Sequence, residues 1–272
     1  MSEITVVKCG GNAAVDPAAL CADVADMVHA GRRVVVVHGG SADIEDVARE
    51  MGTPLRTMTS PDGVTTRYTD AEALDIVTLA LAGRAKPRLL GELCRRGVTA
   101  LGMTGLDGGL LRARRKRAHR ARVDGRLVVV RDNHSGVVTG VDAALILRLL
   151  DAGVTPVISP PALAEDGRPV NADADRVAAA VAAGLDARSL VMLTGAPGVL
   201  EDPRDDASVI PVYAVEGDGA VPRLGGGMSM KLVAARDALR NGVSRVVIAD
   251  GRVRNPLRAT GATRVVLAGG GR

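Results

Sequence analysis

Ile4-Thr5-Val6-Val7-Lys8-Cys9-Gly10-Gly11-Asn12 opens the chain with a β-branched run that ends in a cation and two glycines. β-Branched residues favour an extended backbone. Paired glycines let backbone N–H groups approach an anion with no Cβ in the way. The pattern recurs at Arg33-Val34-Val35-Val36-Val37-His38-Gly39-Gly40-Ser41. Two strand-to-Gly-Gly turns so early in the chain predict two adjacent strand tips aimed at one phosphate-bearing ligand. Neither stretch is a Walker A loop or a dinucleotide fingerprint, because G-x-x-x-x-G-K-[ST] and G-x-G-x-x-G are both missing there.

Around these turns apolar strands alternate with helical stretches. Strand 4–8 leads to a helix near 16–30, capped at Asp16 with Pro17 in the first helical position. Strand 33–37 leads to a helix near 42–51, and residues 53–69 read as an irregular polar loop long enough to be functional. A helix over about 70–95 starts at Asp70 and sets Leu74, Val77 and Leu81 on one face, for a dimer seam or for the core. A short strand at 98–101 precedes Gly102 and Gly105. Residues 110–122, the Asp124-Gly125 turn and residues 126–131 read as one hairpin. A helix at 141–152, a strand at 155–158 stopped by Ser159-Pro160-Pro161, an Ala/Val-rich helix at 173–183, a strand at 189–193, a helix at 231–241 and a strand at 245–248 complete the reading. Repeated βα units with apolar strands imply an α/β fold: a single domain, 1–272, built as a three-layer αβα sandwich around a mainly parallel sheet.

Composition narrows the function. Hydrophobic residues are 47% of the chain, and no apolar stretch reaches the 18 or so residues of a membrane span. Ser2-Glu3 runs straight into the first strand, so no signal peptide is expected. Cys9, Cys21 and Cys94 have neither metal-site nor disulfide spacing, which fits a reducing cytoplasm. There is no Trp or Phe and only Tyr68 and Tyr213, so base-stacking platforms are nearly absent. The charge is uneven: Arg112, Arg114, Arg115, Lys116, Arg117, Arg120 and Arg122 crowd one arm, and without them 28 basic residues face 31 acidic ones. A basic arm on a mildly acidic body calls for an acidic partner. With so few aromatic residues beside it, nucleic acid is the poorer candidate; a solvated hairpin with no partner is the plain alternative.

Three further segments carry chemistry. Val170-Asn171-Ala172-Asp173-Ala174-Asp175 stands at a helix start, where Asp173 suits a cap. Leu193-Thr194-Gly195-Ala196-Pro197-Gly198-Val199 is a strand end with two glycines, the kind of place where open α/β sheets bind ligands. Gly225-Gly226-Gly227-Met228-Ser229-Met230-Lys231 is a triple glycine ending in a lysine at a helix N-terminus and suits a nucleotide lid.

Taken with Lys8-Cys9-Gly10-Gly11, these segments make the chain resemble the amino-acid kinase family over nearly its whole length. Within the family it is most similar to the acetylglutamate kinase branch, and there to kinases acting on glutamate or α-aminoadipate attached to an amino-group carrier protein. The last step rests on 37–42, Gly105-Leu106-Asp107-Gly108, Arg114-Arg115-Lys116 and Thr155-Pro156-Val157-Ile158-Ser159-Pro160-Pro161. The resemblance implies an acyl-acceptor lobe over about 1–170 and an ATP lobe over about 171–272. It implies Lys8 and Lys231 as the lysines flanking the transferring phosphoryl group, and Asp173 as the aspartate that orients them. Gly39 and Gly40, Arg67 on the substrate's α-carboxylate and Asn171 as a polar contact would bind the acceptor. Lys8, Gly10, Gly11, Thr194, Gly195, Gly198, Gly227 and Lys231 would bind ATP, carried with Mg²⁺. Arg112, Arg114, Arg115, Lys116, Arg117 and Arg120 would dock a small acidic carrier, and no protein-held metal is expected.

Such chemistry matches the residues available. A side-chain carboxylate is already ionised at pH 7 and needs positioning and charge neutralisation rather than a general base. His38 then reads as structural and Cys9 as a buried filler. The reading implies a homodimer paired through the helix near 70–95, and a reductase that consumes the acyl phosphate. Arg131-Asp132-Asn133-His134-Ser135-Gly136 departs from the Arg-Gly-Asp-Tyr stretch of carrier-dependent relatives and leaves the carried amino acid open. Pro169, read as standing where enzymes of free acetylglutamate have Asn, tells against that acceptor, which is the enzyme alternative. A regulatory, nucleotide-sensing relative without turnover is the non-enzyme alternative. The first strand begins at Ile4, so inhibition by arginine through an N-terminal helix is not expected.

Overall fold

A parallel strand with neighbours on both sides and helices above and below has no wet face, so consecutive residues must be apolar. Val6 with Val7, Val34 through Val37, Val157 with Ile158, and Leu190 through Leu193 meet that demand, all buried. The computed structural model describes residues 3–11, 14–60, 65–115, 118–123, 125–218, 221, 224–225 and 227–269. Its first half runs β1 (Ile4–Cys9), α1 (Pro17–His29), β2 (Arg33–His38), α2 (Ser41–Glu50), β3 (Thr57–Thr59), β4 (Thr65–Arg67), α3 (Ala71–Thr78), a π-helical segment (Leu79–Ala85), α4 (Lys86–Arg95), β5 (Ala100–Gly105), β6 (Leu111–Arg115), β7 (His119–Val123) and β8 (Arg126–Val130). The second half runs β9 (Gly136–Val141), α5 (Ala143–Asp151), β10 (Thr155–Ala164), β11 (Pro169–Val170), α6 (Ala174–Gly184), β12 (Ser189–Thr194), β13 (Val212–Val215), α7 (Met228–Arg240), β14 (Arg245–Asp250) and β15 (Thr263–Leu267).

Among the described residues an 11-stranded sheet has the order β13-β15-β14-β12-β1-β2-β10-β6-β9, with β5 and β11 also paired to β10. Its central run, β14-β12-β1-β2-β10, is parallel. Side chains alternate across the pleat. Val6, Val35, Val37, Ile158, Leu190 and Met192 therefore share one core with α5, α6 and α7. Val7, Val34, Val36, Val157, Val191 and Leu193 face the opposite core, with α1 and α4. The expected three-layer α/β architecture is observed. A second, antiparallel sheet, β4-β3-β7-β8, stands apart from it.

Four local differences from the sequence reading have physical reasons. The loop at 53–69 contains the paired strands β3 and β4, whose threonines join through Thr59 and Thr65 Oγ1 at 2.9 Å. The helix at 70–95 begins at the Asp70 cap as expected, but widens into the π segment just before Pro87, which has no N–H for the carbonyl four residues back. Val77 and Leu81 pack against Ile44 and Val47 of α2, and Leu74 is buried too, so this face serves the core. β10 continues through the prolines to Ala164, because they fall between its pairing with β5, which ends at Ser159, and its pairing with β11, which begins at Ala162. Finally, the basic hairpin is divided: β6 belongs to the large sheet, between β10 and β9, while β7 and β8 alone form the hairpin around 124–125.

Helices α6 and α7 meet through Ala178, Ala182, Ala234, Ala235 and Ala238, all fully buried. Small side chains let the two axes approach closely. Ala178→Leu is expected to lower unfolding stability by about 1–3 kcal/mol through overpacking. Urea denaturation measures this; an unchanged midpoint would mean the helices are not so tightly apposed.

Candidate active site

Parallel strands end on one edge, so β2, β1, β12 and β14 present their carboxyl tips side by side. The register sets Cys9 beside His38 and Thr194 beside Asp250. A glycine follows each tip: Gly39, Gly10, Gly195 and Gly251. The first two turns are pressed together as the sequence implied. A Cβ on Gly11 would stand 2.5 Å from the Gly40 nitrogen, and the Gly11 carbonyl accepts from Ser41 Oγ at 2.7 Å and Ala42 N at 2.9 Å. Gly39 also approaches α6, where its Cβ would lie 3.3 Å from that of Ala174.

Three elements then deliver charge to this edge. Lys8 comes from β1, Lys231 from the first turn of α7 and Asp175 from the first turn of α6. Lys8 Nζ lies 2.8 Å from Asp175 Oδ1, and Lys231 Nζ lies 2.9 Å from Asp175 Oδ2. All three are buried. Burial by itself would raise the Asp175 carboxyl, yet the two ammonium groups outweigh it and hold the pKa down to about 2. Burial likewise opposes the charge on Lys8, and the Asp175 carboxylate overcomes it, so the Lys8 pKa rises.

The expectation that Asp173 orients the lysines is corrected: Asp175 stands between them. Asp173 is the N-cap of α6, where its carboxylate accepts from Arg176 N at 3.0 Å. It still lies close enough to feel both lysines. Although Asp173 is exposed at the helix start, partial loss of hydration among its neighbours, reinforced by the negative charge of Asp175, pushes its carboxyl up. The sequence does carry a signal for Asp175, a second carboxylate in the same helical turn, since a cap accounts for only the first of the pair.

His38 is buried, with Nδ1 2.9 Å from Gly39 O; burial pushes it down to about 4, so it is neutral at pH 7. Cys9 is buried and its thiol is pushed up to about 11, which leaves it an inert filler. The structural readings of both residues stand.

The proposed acceptor residues Arg67 and Asn171 follow from the small sheet and from the end of β11. Arg67 ends β4; its half-buried guanidinium is lowered in pKa by desolvation, which Glu45 partly offsets. Thr69, two residues on, receives Asn171 Nδ2 at 3.5 Å on Oγ1. Asn171 is fixed through its backbone: its N–H donates to His134 O at 2.7 Å and its carbonyl accepts from Gly136 N at 2.8 Å. The fully buried Asn133 completes a knot that the sequence did not reveal, accepting from Thr69 N at 3.3 Å and donating to Ser135 Oγ at 2.7 Å. Pro169 is exposed on β11 and takes no part in that knot.

On the proposed nucleotide side, Thr194 O accepts from Gly251 N at 2.8 Å, tying two tips together. Gly195 follows, and Gly198 packs beside Thr263, whose Oγ1 accepts from Val199 N at 2.8 Å. Gly227 caps α7 with φ +77, a left-handed conformation that suits glycine. Of the basic arm, Arg112 and Arg114 point outward from β6, Arg115 is half-buried with Nε donating to Asn133 O at 3.2 Å, and Arg120 is exposed on β7. Lys116 and Arg117 lie outside the described residues, as does Gly226.

Residues 3–250 match the model of the amino acid kinase family. The chain belongs to that family. It is 39% identical over 259 residues to a [LysW]-aminoadipate kinase of Deinococcus radiodurans, covering 93% of this chain and 87% of that one. It is also 39% identical over 258 residues to an acetylglutamate kinase of Symbiobacterium thermophilum, covering 93% and 85%. Among solved structures it is similar in fold to smu.665 from Streptococcus mutans, with TM-score 0.74 and 22% identity over 97% of this chain and 99% of that chain. This kinase is a phosphotransferase with a carboxyl acceptor.

Asp175→Asn would leave two buried ammonium groups facing each other with no counter-charge. A carboxylate whose folded pKa is depressed adds stability above its unfolded pKa, near 4, and loses it as pH falls through the folded value of about 2. The variant is expected to be less stable than wild type at pH 6, with the gap closing between about pH 5 and 2 in denaturant titrations. A gap independent of pH would deny Asp175 its role as counter-ion.

Proposed function

We propose that this kinase uses ATP to phosphorylate the side-chain carboxylate of an acidic amino acid carried on a small acidic amino-group carrier protein. The product is an acyl phosphate. The observation that carries the reading is the Lys8–Asp175–Lys231 cluster at the glycine-ended strand tips. The exposed arginines of β6 and β7, and relatives whose names specify LysW-linked aminoadipate or glutamate, support the carrier and an α-aminoadipate or glutamate acceptor.

In this reading the chain up to about residue 170 binds the acceptor, through Gly39, Gly40, Arg67 and Asn171. The rest binds ATP, with Thr194, Gly195, Gly198 and Gly227 around the nucleotide and Gly10 and Gly11 on its phosphates. The acceptor carboxylate attacks as an anion. The obstacle is the negative charge pressed together in line, and Lys8 and Lys231 meet it from two sides with ammonium groups preset by Asp175. Asp175 remains ionised throughout, since its pKa lies far below neutral. Backbone N–H groups of the glycine turns add donors without side chains to crowd the phosphates.

Mg²⁺ would come with ATP, bound to its phosphates. There it would neutralise phosphate charge. Pairing of two copies and a cytoplasmic setting complete the proposal; a reductase specific for acyl phosphates would consume the product.

Hydroxamate trapping of the product tests the acceptor. Turnover with a LysW-type carrier bearing aminoadipate or glutamate, and little with free N-acetyl-α-aminoadipate or N-acetylglutamate, is the expected result. Rapid turnover of free acetylglutamate would instead make this an acetylglutamate kinase. Lys8→Ala should lower kcat by at least about 10²-fold, as removal of a transition-state donor does, and unchanged turnover would remove Lys8 from the chemistry.

A further inference from the structure

The small sheet ends at β8, and among the described residues nothing pairs with its outer side. Leu127, Val128 and Val129 are 60%, 40% and 50% exposed, so both faces of the strand are apolar and open to water. Two residues separate Val123 from Arg126, and the register pairs these two, then Arg122 with Leu127, Ala121 with Val128 and Arg120 with Val129. A two-residue hairpin closes on a doubly hydrogen-bonded pair, and bonded and non-bonded pairs then alternate. The N–H and C=O groups of Leu127 and Val129 therefore point away from β7, at the bare edge. Edges of this kind attract another strand and are usually guarded by Pro, Lys or a bulge; 127–129 carries none of them.

Charge selects the occupant. Arg120, Arg122, Arg126 and Arg131 are exposed around this edge, and among the described residues none of the four makes an ion pair. A second copy of the chain would bring the same arginines against them, whereas an acidic partner would not. Position links the edge to the proposed acceptor site. A hollow of about 610 Å³ wraps the strand, lined by Val128 and Val129 from opposite faces and by Tyr68 and Asp132. Tyr68 adjoins Thr69, which touches Asn171, and Asp132 adjoins the Asn133 knot.

We infer that the outer edge of β8 seats the body of the acidic carrier protein by strand-to-strand pairing, with the surrounding arginines setting its orientation. The inference rests on the carrier reading above. Backbone hydrogen bonds at Leu127 and Val129, together with their side chains, supply the contact that survives salt; the arginines supply the part that salt screens.

Amide exchange in the wild-type enzyme tests this directly. On saturation with aminoadipate-charged LysW-type carrier, exchange at Leu127 and Val129 is expected to slow by about tenfold or more, and not with free N-acetyl-α-aminoadipate. Val129→Pro removes one outward N–H, which an edge position tolerates. It should raise KM for the charged carrier by about tenfold at unchanged kcat, with the KM for ATP and the thermal midpoint as in wild type. Leu127→Thr with Val129→Thr keeps β propensity and serves where the proline variant unfolds. Unprotected amides, with KM raised only by charge reversal at Arg112 and Arg114, would overturn the edge while keeping the carrier. Protection that grows with enzyme concentration alone would assign the edge to a second copy and overturn the inference. A wild-type enzyme that does not turn over the charged carrier would remove the proposed function, and this surface with it.

Discussion

Two ammonium groups converge on the carboxylate of Asp175 in a place that water scarcely reaches. Like charges about 4 Å apart repel by about 4 kcal/mol at an effective dielectric of 20, so without the aspartate the lysines would neutralise or part. The bridge therefore does more than join side chains. It holds the β1 tip, the start of α6 and the start of α7 in one mutual position, although their sequence positions are far apart. Any anion that later enters between the lysines meets charges whose reorganisation is already complete, which is the condition for electrostatic catalysis.

The rest of the fold is consistent with that requirement. Strand tips must sit close together, and the chain meets this with glycine: Gly11 leaves no room for a Cβ against the Gly40 turn. Helices must approach the sheet and each other, and alanine and valine fill the α6–α7 seam in place of the missing Trp and Phe. Small side chains make a core that depends on backbone proximity. That proximity in turn places the starts of α6 and α7, the positive ends of their dipoles, at the edge where phosphate would lie.

Fold class was legible because a fully buried parallel strand has a sequence signature that little else produces. The valine runs, the helix caps at Asp16 and Asp70 and the glycine turns all reappear as read. What escaped the reading depended on distant partners. Asp173 and Asp175 look alike in sequence. Only the packing of α6 against β1 decides that the first spends its oxygens on a backbone N–H and the second on two lysines. Prolines 160 and 161 look like a strand end, and only the places where β5 and β11 pair allow β10 to pass through them. The basic arm reads as one hairpin because charge is visible and pairing is not: β6 takes its partners from β9 and β10, far along the chain.

That division of the arm bears on how a tethered acceptor would be used. A substrate on a carrier arrives with a tether of fixed reach, so the distance from dock to reacting atoms must be fixed as well; otherwise the effective concentration falls steeply. Under the proposed function, Asn133 is the residue that would meet that demand. Its carbonyl accepts from Arg115 of β6, its side chain accepts from Thr69, and the adjoining His134 carbonyl accepts from Asn171. One buried residue thus ties the basic strand, the base of the small sheet and the proposed acceptor contact into a rigid junction. Asn133 lies within Arg131–Gly136, the stretch read as departing from the carrier-dependent pattern.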